Sequence, residues 1–436
     1  MAINITFSIF FIGLILILGQ VFSATFQRTR VPDILPLMLL GFLLGPTLKL
    51  VNPDTFGQMG HVFTEIVLIL VMFQTGAAFR LSYLRDSFLP GLFFAVAYIL
   101  LVVIVITILT MKMLGLPMLY AVTLGFILAD NSLVIIMPMI AKFNITQNLK
   151  TILTVENAMG SMINVIVVLA LLSMVSQQKL ATHIIAGEIL YTFLMAALVG
   201  LISGIFWTAV LDKVRMLENS MVLTFAFILI VYSVSAAVGS KGAIGVLMLG
   251  IVMGNIRVLQ RFWSKRIDLK AESFKGTERN FFSEIEFAFK TLFFVYMGMS
   301  LYIQNKYLII CGVILALVKY IIRIPVVNHL LSKNINRHDA AVAFAMVPNG
   351  LVSAVLAATM AQQYGASKGI EDLVYSVIFF TVIFSSVLSF FIEKGWFGKV
   401  GNVLFYRHAP YVPKEEAPAE EHPQETPPQR EQQQCN

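Results

Sequence analysis

Charge is scarce in this chain. Asp, Glu, Lys and Arg make up 13% of its 436 residues while 58% are hydrophobic, and the mean hydropathy is +0.84. That balance excludes an ordinary soluble globular protein. Cysteine is scarcer still: Cys311, inside an apolar segment, and Cys435, next to the last residue, exclude a disulfide framework and a cysteine-based metal cluster. His61, His183, His329 and His338 fall at the ends of apolar segments, so no metal site is expected. A phosphate-cradling glycine loop, an HExxH pair and a nucleophile elbow are all missing. The buried polar residues offer no ordered nucleophile and base, so neither an enzyme nor a cofactor is expected. No ten-residue alternation suggests a barrel.

What is present is a series of apolar stretches long enough for a hydrocarbon core of about 30 Å, which takes roughly 20 residues per helix. They lie at about 3–26, 34–51, 61–79, 88–111, 116–140, 149–175, 183–211, 219–238, 241–256, 281–303, 306–331, 338–363 and 372–393. An all-α membrane protein of about thirteen transmembrane helices follows. The first stretch lacks a basic flank and a small-residue cleavage site and reads as a retained helix. Residues 1–399 form the membrane domain; residues 400–436, rich in Pro, Glu and Gln, cannot bury a core and are expected to be a disordered tail.

The net charge of +7 does not point to nucleic acid, because the basic residues flank apolar segments. One set of alternate loops carries seventeen Lys and Arg, the other six. The asymmetry places the N-terminus outside and the C-terminus in the cytoplasm of a multi-pass cell-membrane protein. The most basic loop, Arg257 to Arg279, holds Phe262, Trp263, Ile267 and Leu269. It reads equally as an interfacial helix on anionic membrane lipid and as a solvated connector.

Charges within an apolar span are functional candidates by default, and Asp130, Glu156, Lys290, Lys319 and Arg323 are such charges. Asp130, Asn131 and Ser132 interrupt the fifth span, because these side chains compete for backbone hydrogen bonds and are tolerated at depth only beside a cavity. Pro348, Asn349 and Gly350 interrupt the twelfth at the corresponding place. Paired interruptions in two halves point to the substrate site of an inverted-repeat transporter. Glu156 opens a polar stripe in which Asn157, Gly160, Ser161 and Asn164 share a helical face. Packing glue is an alternative reading of Gly160 and Ser161. Lys319 and Arg323, four apart, are natural partners for Glu156 or Asp130, and a structural ion pair between Glu156 and Arg323 is as compatible with the pattern as a transport role. Lys290 is close enough to its span end to snorkel.

The stretches PDILPLMLLGFLLGP from 32, LILVMFQTGAAFRL from 68, LAD at 128–130, LTVENAMGS at 153–161, LFFVYMGMSL at 292–301, VKYIIRIP at 318–325 and VPNGLVSAVLA at 347–357 resemble, in order and spacing, the monovalent cation/proton antiporter superfamily. The archaeal and bacterial sodium/proton exchanger branch is nearest, over roughly residues 10 to 395. The resemblance implies an inverted-repeat fold with two interrupted crossing helices, and a homodimer. Asp130 is similar to the acid of the family's Thr-Asp-Pro motif, with Ala129 and Asn131 for Thr and Pro. Glu156 resembles the Glu of its Glu-Ser motif and Arg323 the eleventh-helix Arg, which implies a Glu156–Arg323 pair. The chain departs from the pattern in two places: Gly160 and Ser161 stand where the family has Asn-Asp, and Asn349 where it has Arg.

The expected function is exchange of a monovalent cation, sodium or potassium, for protons. Asp130, Glu156, Asn157 and Ser161 are its ion- and proton-binding residues; Asn131, Ser132, Gly160, Lys319, Arg323 and Asn349 are their structural partners. Loss of the family's Asp at 161 keeps two alternatives open: a divergent or uncoupled pathway for another solute, and a non-transporting sensor on an antiporter scaffold.

Overall fold

A computed structural model of the chain describes residues 5–29, 32–48, 57–79, 88–176, 182–218, 220–256, 276–300, 306–333, 335–364 and 369–409. The described residues are helical apart from turns and short connectors. In chain order the helices are α1 (Ile5–Thr29), α2 (Ile34–Phe42, extended by a wider turn over Leu43–Thr47), α3 (Gly57–Ala78), α4 (Phe88–Leu114), α5 (Met118–Ala129), α6 (Leu133–Ile140), α7 (Gln147–Ser176) and α8 (Thr182–Val214). They continue as α9 (Ser220–Ala237), α10 (Gly242–Gly254), α11 (Gly276–Ser300), α12 (Lys306–Leu330), α13 (Arg337–Ala345), α14 (Leu351–Tyr364), α15 (Gly369–Glu393) and α16 (Gly398–Leu404).

The described parts of the expected segments fall on single helices or on a broken pair. Among the described residues seven helical segments, the α5/α6 pair counted as one, are long and apolar enough to cross a membrane, and five apolar segments are shorter. Apolar side chains point outward from several of them, among them Leu89, Phe93 and Ile104 of α4, Leu194 and Phe206 of α8, and Ile310 and Ile321 of α12, as a lipid-facing surface requires. The basic stretch 257–275 lies outside the described residues, as do 410–436. The boundary expected at 400 falls within α16.

Two runs of the chain repeat one plan: a long helix, a broken pair and a second long helix, as α4, α5/α6, α7 and again as α12, α13/α14, α15. Glycine sets the tightest contacts elsewhere. A β-carbon on Gly76 of α3 would collide with the carbonyl oxygen of Leu247, and one on Gly250 of α10 with that of Phe73, so these helices meet backbone to backbone. Gly41 of α2 and Gly298 of α11 make the equivalent approach to Val295 and Met38. Between α9 and α10 the chain reverses through Gly239 at φ 77°, a conformation open to glycine at little cost.

Residues 398–409 are anchored at the ends of α12 and α13. The Arg337 amide donates to the carbonyl of Ala409 at 2.9 Å, its guanidinium to the carbonyl of His408 at 3.1 Å, and the Asn328 side chain to the carbonyl of Leu404 at 2.8 Å. Phe405 is fully buried against Phe344. Burial pulls the His408 imidazole below its ordinary value, with a smaller contribution in the same direction from Arg407 and opposition from backbone groups of Val327, Ser332 and Ile335.

Gly250→Val should lower the melting temperature of the detergent-solubilised protein, corresponding to about 1–3 kcal/mol of overpacking, whereas Gly187→Ala, where nothing lies within 4 Å, should leave it unchanged. A second expectation concerns pH. The neutral His408 favours the anchored state, so its contribution is complete above the unperturbed value of about 6.5 and is lost as pH falls through the lowered one. Protease sensitivity of residues 398–409 should rise on acidification, and His408→Gln should abolish that acid step.

Candidate functional site

α5 ends at Ala129 and α6 begins at Leu133; the intervening Asp130 and Ser132 are extended, at φ −66°, ψ 134° and φ −80°, ψ 106°. α13 ends at Ala345 and α14 begins at Leu351, with non-helical chain between. The two non-helical stretches meet, and each supplies partners that the other's broken helix has lost. Ser132 N–H donates to the carbonyl of Pro348 at 2.8 Å. The Asn349 amide donates to the carbonyls of Asp130 at 2.6 Å and Leu128 at 3.1 Å, while its backbone N–H donates to Thr381 Oγ1 at 3.1 Å. Arg323 Nε and Ser385 Oγ serve the carbonyls of Ala343 and Ala345 at 3.1 and 2.8 Å. Gly350 has no alternative here, because a β-carbon would run into the Ser132 hydroxyl.

Asp130 is fully buried at this crossing. Its Oδ1 accepts from Ser161 Oγ at 2.6 Å and its Oδ2 from Ser353 Oγ at 3.4 Å. Asn164, one turn past Ser161, is fully buried, and neither atom of its amide has a hydrogen-bond partner among the described residues. Lys319 attracts Asp130 but hydrogen-bonds elsewhere: to the side-chain oxygen of Asn349, and at 3.4 Å to that of Asn131. Glu156 and Arg323 form a bidentate pair, with Nη2–Oε2 at 2.9 Å and the second contact between Nη1 and Oε1. The guanidinium also lies 4.6 and 4.8 Å from the ring centroids of Phe94 and Tyr98, one turn apart on α4. Of the pairings open in the sequence, Arg323 therefore takes Glu156, and Lys319 takes the two crossing asparagines.

The structure thus brings Asp130, Asn131, Ser132, Ser161, Lys319 and Asn349 together, with Glu156 and Arg323 as a companion pair. Gly160 is set apart: its nearest outside atom is Ile99 Cδ1, 3.8 Å from where a β-carbon would sit, so it packs toward α4. Asn157 donates to the carbonyl of Leu153 at 2.6 Å and lines a cavity of about 130 Å³ with Ser132, Ser161, Gln74, Thr75, Glu286 and Lys290. Lys290 pairs with Asp33 at 3.0 Å. Among the described residues no group of three or more His, Cys, Asp or Glu is placed to hold a metal.

The transmembrane sodium/hydrogen exchanger family matches residues 12–394. The chain belongs to that family. It is 26% identical over 403 residues to a Na(+)/H(+) antiporter of Enterococcus hirae, covering 89% of this chain and 99% of that one. A stretch of 75 residues is 29% identical to Na(+)/H(+) antiporter 1 of Methanocaldococcus jannaschii, covering 17% and 18% of the two chains. The fold is similar to that of a sodium proton antiporter from Methanocaldococcus jannaschii solved at pH 8, with a TM-score of 0.71 at 18% identity over 89% of this chain and 99% of the other. An electron-microscopy structure of that antiporter gives 0.65 at 20% identity, over 94% and 100%. The chain is therefore a multi-pass membrane protein of an antiporter family.

Sequence patterns missed Ser353, Thr381, Phe94, Tyr98 and Glu286. Ser353 was within reach, since it lies one turn after Asn349; Thr381 and the two aromatics carry no mark that separates them from ordinary packing residues.

Removing one partner of the buried Glu156–Arg323 pair strands a charge and costs about 3–5 kcal/mol. Arg323→Met and Glu156→Gln should each lower the melting temperature in detergent markedly. The double variant should recover part of the loss, and a non-additive cycle measures the coupling.

Proposed function

We propose that this protein exchanges a monovalent cation for protons across the cell membrane, with Asp130 as the group for which the two compete. The observation that carries the reading is the placement of a fully buried carboxylate at the helix crossing, held by hydroxyls and not by a direct salt bridge. Asp130, Glu156, Lys319 and Arg323 sum to zero charge when all are ionised. A proton on Asp130, or a cation beside it, raises that sum to +1; both together would raise it to +2 in a low-dielectric interior. The two ligands therefore exclude one another, and releasing one is the condition for taking the other.

In this reading the N-terminal ends of α6 and α14 surround Asp130, while Ser161, Ser353 and the carbonyls of the non-helical stretches supply oxygen ligands to a dehydrated cation. Asn157 faces the cavity that leads to Ser161. Sodium is the cation named for the similar antiporters, and we take it as the first substrate to test, with potassium second. The cavity is lined by Ile34 at the start of α2, by Ala78 at the end of α3 and by Glu286, Lys290 and Phe294 within α11; in sequence the loops before α2 and after α3 belong to the basic set, which supports an inward-open arrangement with the N-terminus outside and the C-terminus in the cytoplasm. The homodimer implied by the family resemblance completes the proposal.

Proteoliposomes acidified inside should lose protons when sodium is added outside, and Asp130→Asn should reduce this to background; full activity in that variant would remove the reading. One carboxylate serving one proton or one cation makes the exchange electroneutral. A clamped potential of about 100 mV, worth ~2.3 kcal/mol per charge moved, should leave the rate unchanged. Ser161→Asp adds a second titratable carboxylate and should shift the pH dependence.

A further inference from the structure

The cavity between α2, α3, α7 and α11 contains a carboxylate that the exchange reading does not use. Glu286 lines it, and Lys290 is an opposite charge acting on it. The Lys290 ammonium is bound to Asp33 at 3.0 Å. Glu286 and Lys290 line the cavity and Asp33 stands behind Lys290; with all three ionised they sum to one negative charge, whereas the four charges at the crossing balance. Asn157, only 2% exposed, is fixed by its amide nitrogen on the carbonyl of Leu153. Its Oδ1 has no hydrogen-bond partner among the described residues. The Gln74 amide nitrogen is likewise without one, so that amide can turn its carbonyl toward the cavity. A volume of about 130 Å³ holds several waters.

We propose that Glu286, Asn157 and Gln74 form an outer site that takes a partly hydrated monovalent cation before it reaches Asp130. The step onward rests on the exchange reading; the site itself does not. A carboxylate whose neighbouring ammonium is already paired with another acid concentrates cations in a walled cavity, and the buried oxygens of Asn157 and Gln74 replace part of the hydration shell. Thr75, Ser132 and Ser161 line the same cavity and connect the outer position to the Asp130 carboxylate, which Ser161 already touches. The arrangement returns to the pathway, from α11, a negative charge that α7 lacks at Ser161.

The test compares full-length protein with Glu286→Gln, Glu286→Asp and, as a surface-charge control, Glu284→Gln on the exposed side of α11. At constant ionic strength Glu286→Gln should raise the apparent KM for sodium about ten-fold, the lower end of the range for electrostatic focusing, with kcat little changed. Glu286→Asp should restore most of the affinity, and Glu284→Gln should behave as the native chain. A binding readout separates this site from exchange. In Asp130→Asn, sodium but not choline should still raise the melting temperature of the purified protein, and Asp130→Asn/Glu286→Gln should lose that rise. A native KM in Glu286→Gln, or an undiminished sodium effect in the double variant, overturns the outer site while leaving exchange at Asp130 intact. A Glu286-dependent sodium effect in a native chain that shows no exchange would support the site and overturn the exchange reading instead.

Discussion

A membrane helix broken in its middle must find replacement partners for its backbone, since hydrocarbon offers none, and this constraint organises the centre of the molecule. Neither interruption solves it alone. The carbonyls of Leu128 and Asp130 are served by the Asn349 side chain, and that of Pro348 by the Ser132 amide. The carbonyls of Ala343 and Ala345 turn to Arg323 and Ser385, with Tyr320 holding Ser385 at 2.7 Å. Each broken helix is therefore stable only in the presence of the other and of α12 and α15. Asn349 serves two of these five carbonyls, more than any other residue, and it also accepts from Lys319.

Charge follows from the same geometry. The C-terminal ends of α5 and α13 bring partial negative charge into the crossing, and both buried cations come from α12, one turn apart. Arg323 meets the end of α13 directly and neutralises Glu156, with aromatic rings of α4 above it. Lys319 lies among the two asparagines, close enough to Asp130 to attract it and bonded to neither of its oxygens. The consequence is a carboxylate stabilised by hydroxyl donors on one side and a nearby positive field on the other, without a partner locked onto it.

Much of this was legible in the sequence, because breaking a transmembrane helix requires residues that stand out. Asp130-Asn131-Ser132 and Pro348-Asn349-Gly350 are conspicuous in apolar surroundings, and so are the charges of Glu156, Lys319 and Arg323. Periodicity placed Asn157, Gly160, Ser161 and Asn164 on one face, but a face about 100° wide can address more than one neighbour. Gly160 meets α4, Ser161 meets Asp130 and Asn157 meets the cavity. Which base takes which acid could not be read from spacing, since Lys319 and Arg323 share a face and differ only in height. Glu286 escaped notice for a related reason: five residues from the start of its apolar stretch, it resembles a span-end charge, and only the packing of α2, α3 and α7 around it encloses a cavity there.

The replacement at position 161 bears on how coupling can arise. A serine hydroxyl donates to Asp130 and can contribute an oxygen to a cation, but it holds neither a proton nor a negative charge that changes with occupancy. In the proposed exchange, selection between proton and cation thus falls on a single carboxylate whose surroundings already balance its charge. Double occupancy would place two uncompensated positive charges in a low-dielectric interior, where like charges a few ångströms apart repel far more strongly than in water. Coupling then requires no second titrating group on α7. It requires that Lys319 and Arg323 stay charged and that water does not flood the crossing, and the non-helical stretches, closed on each other through Asn349, are what exclude it.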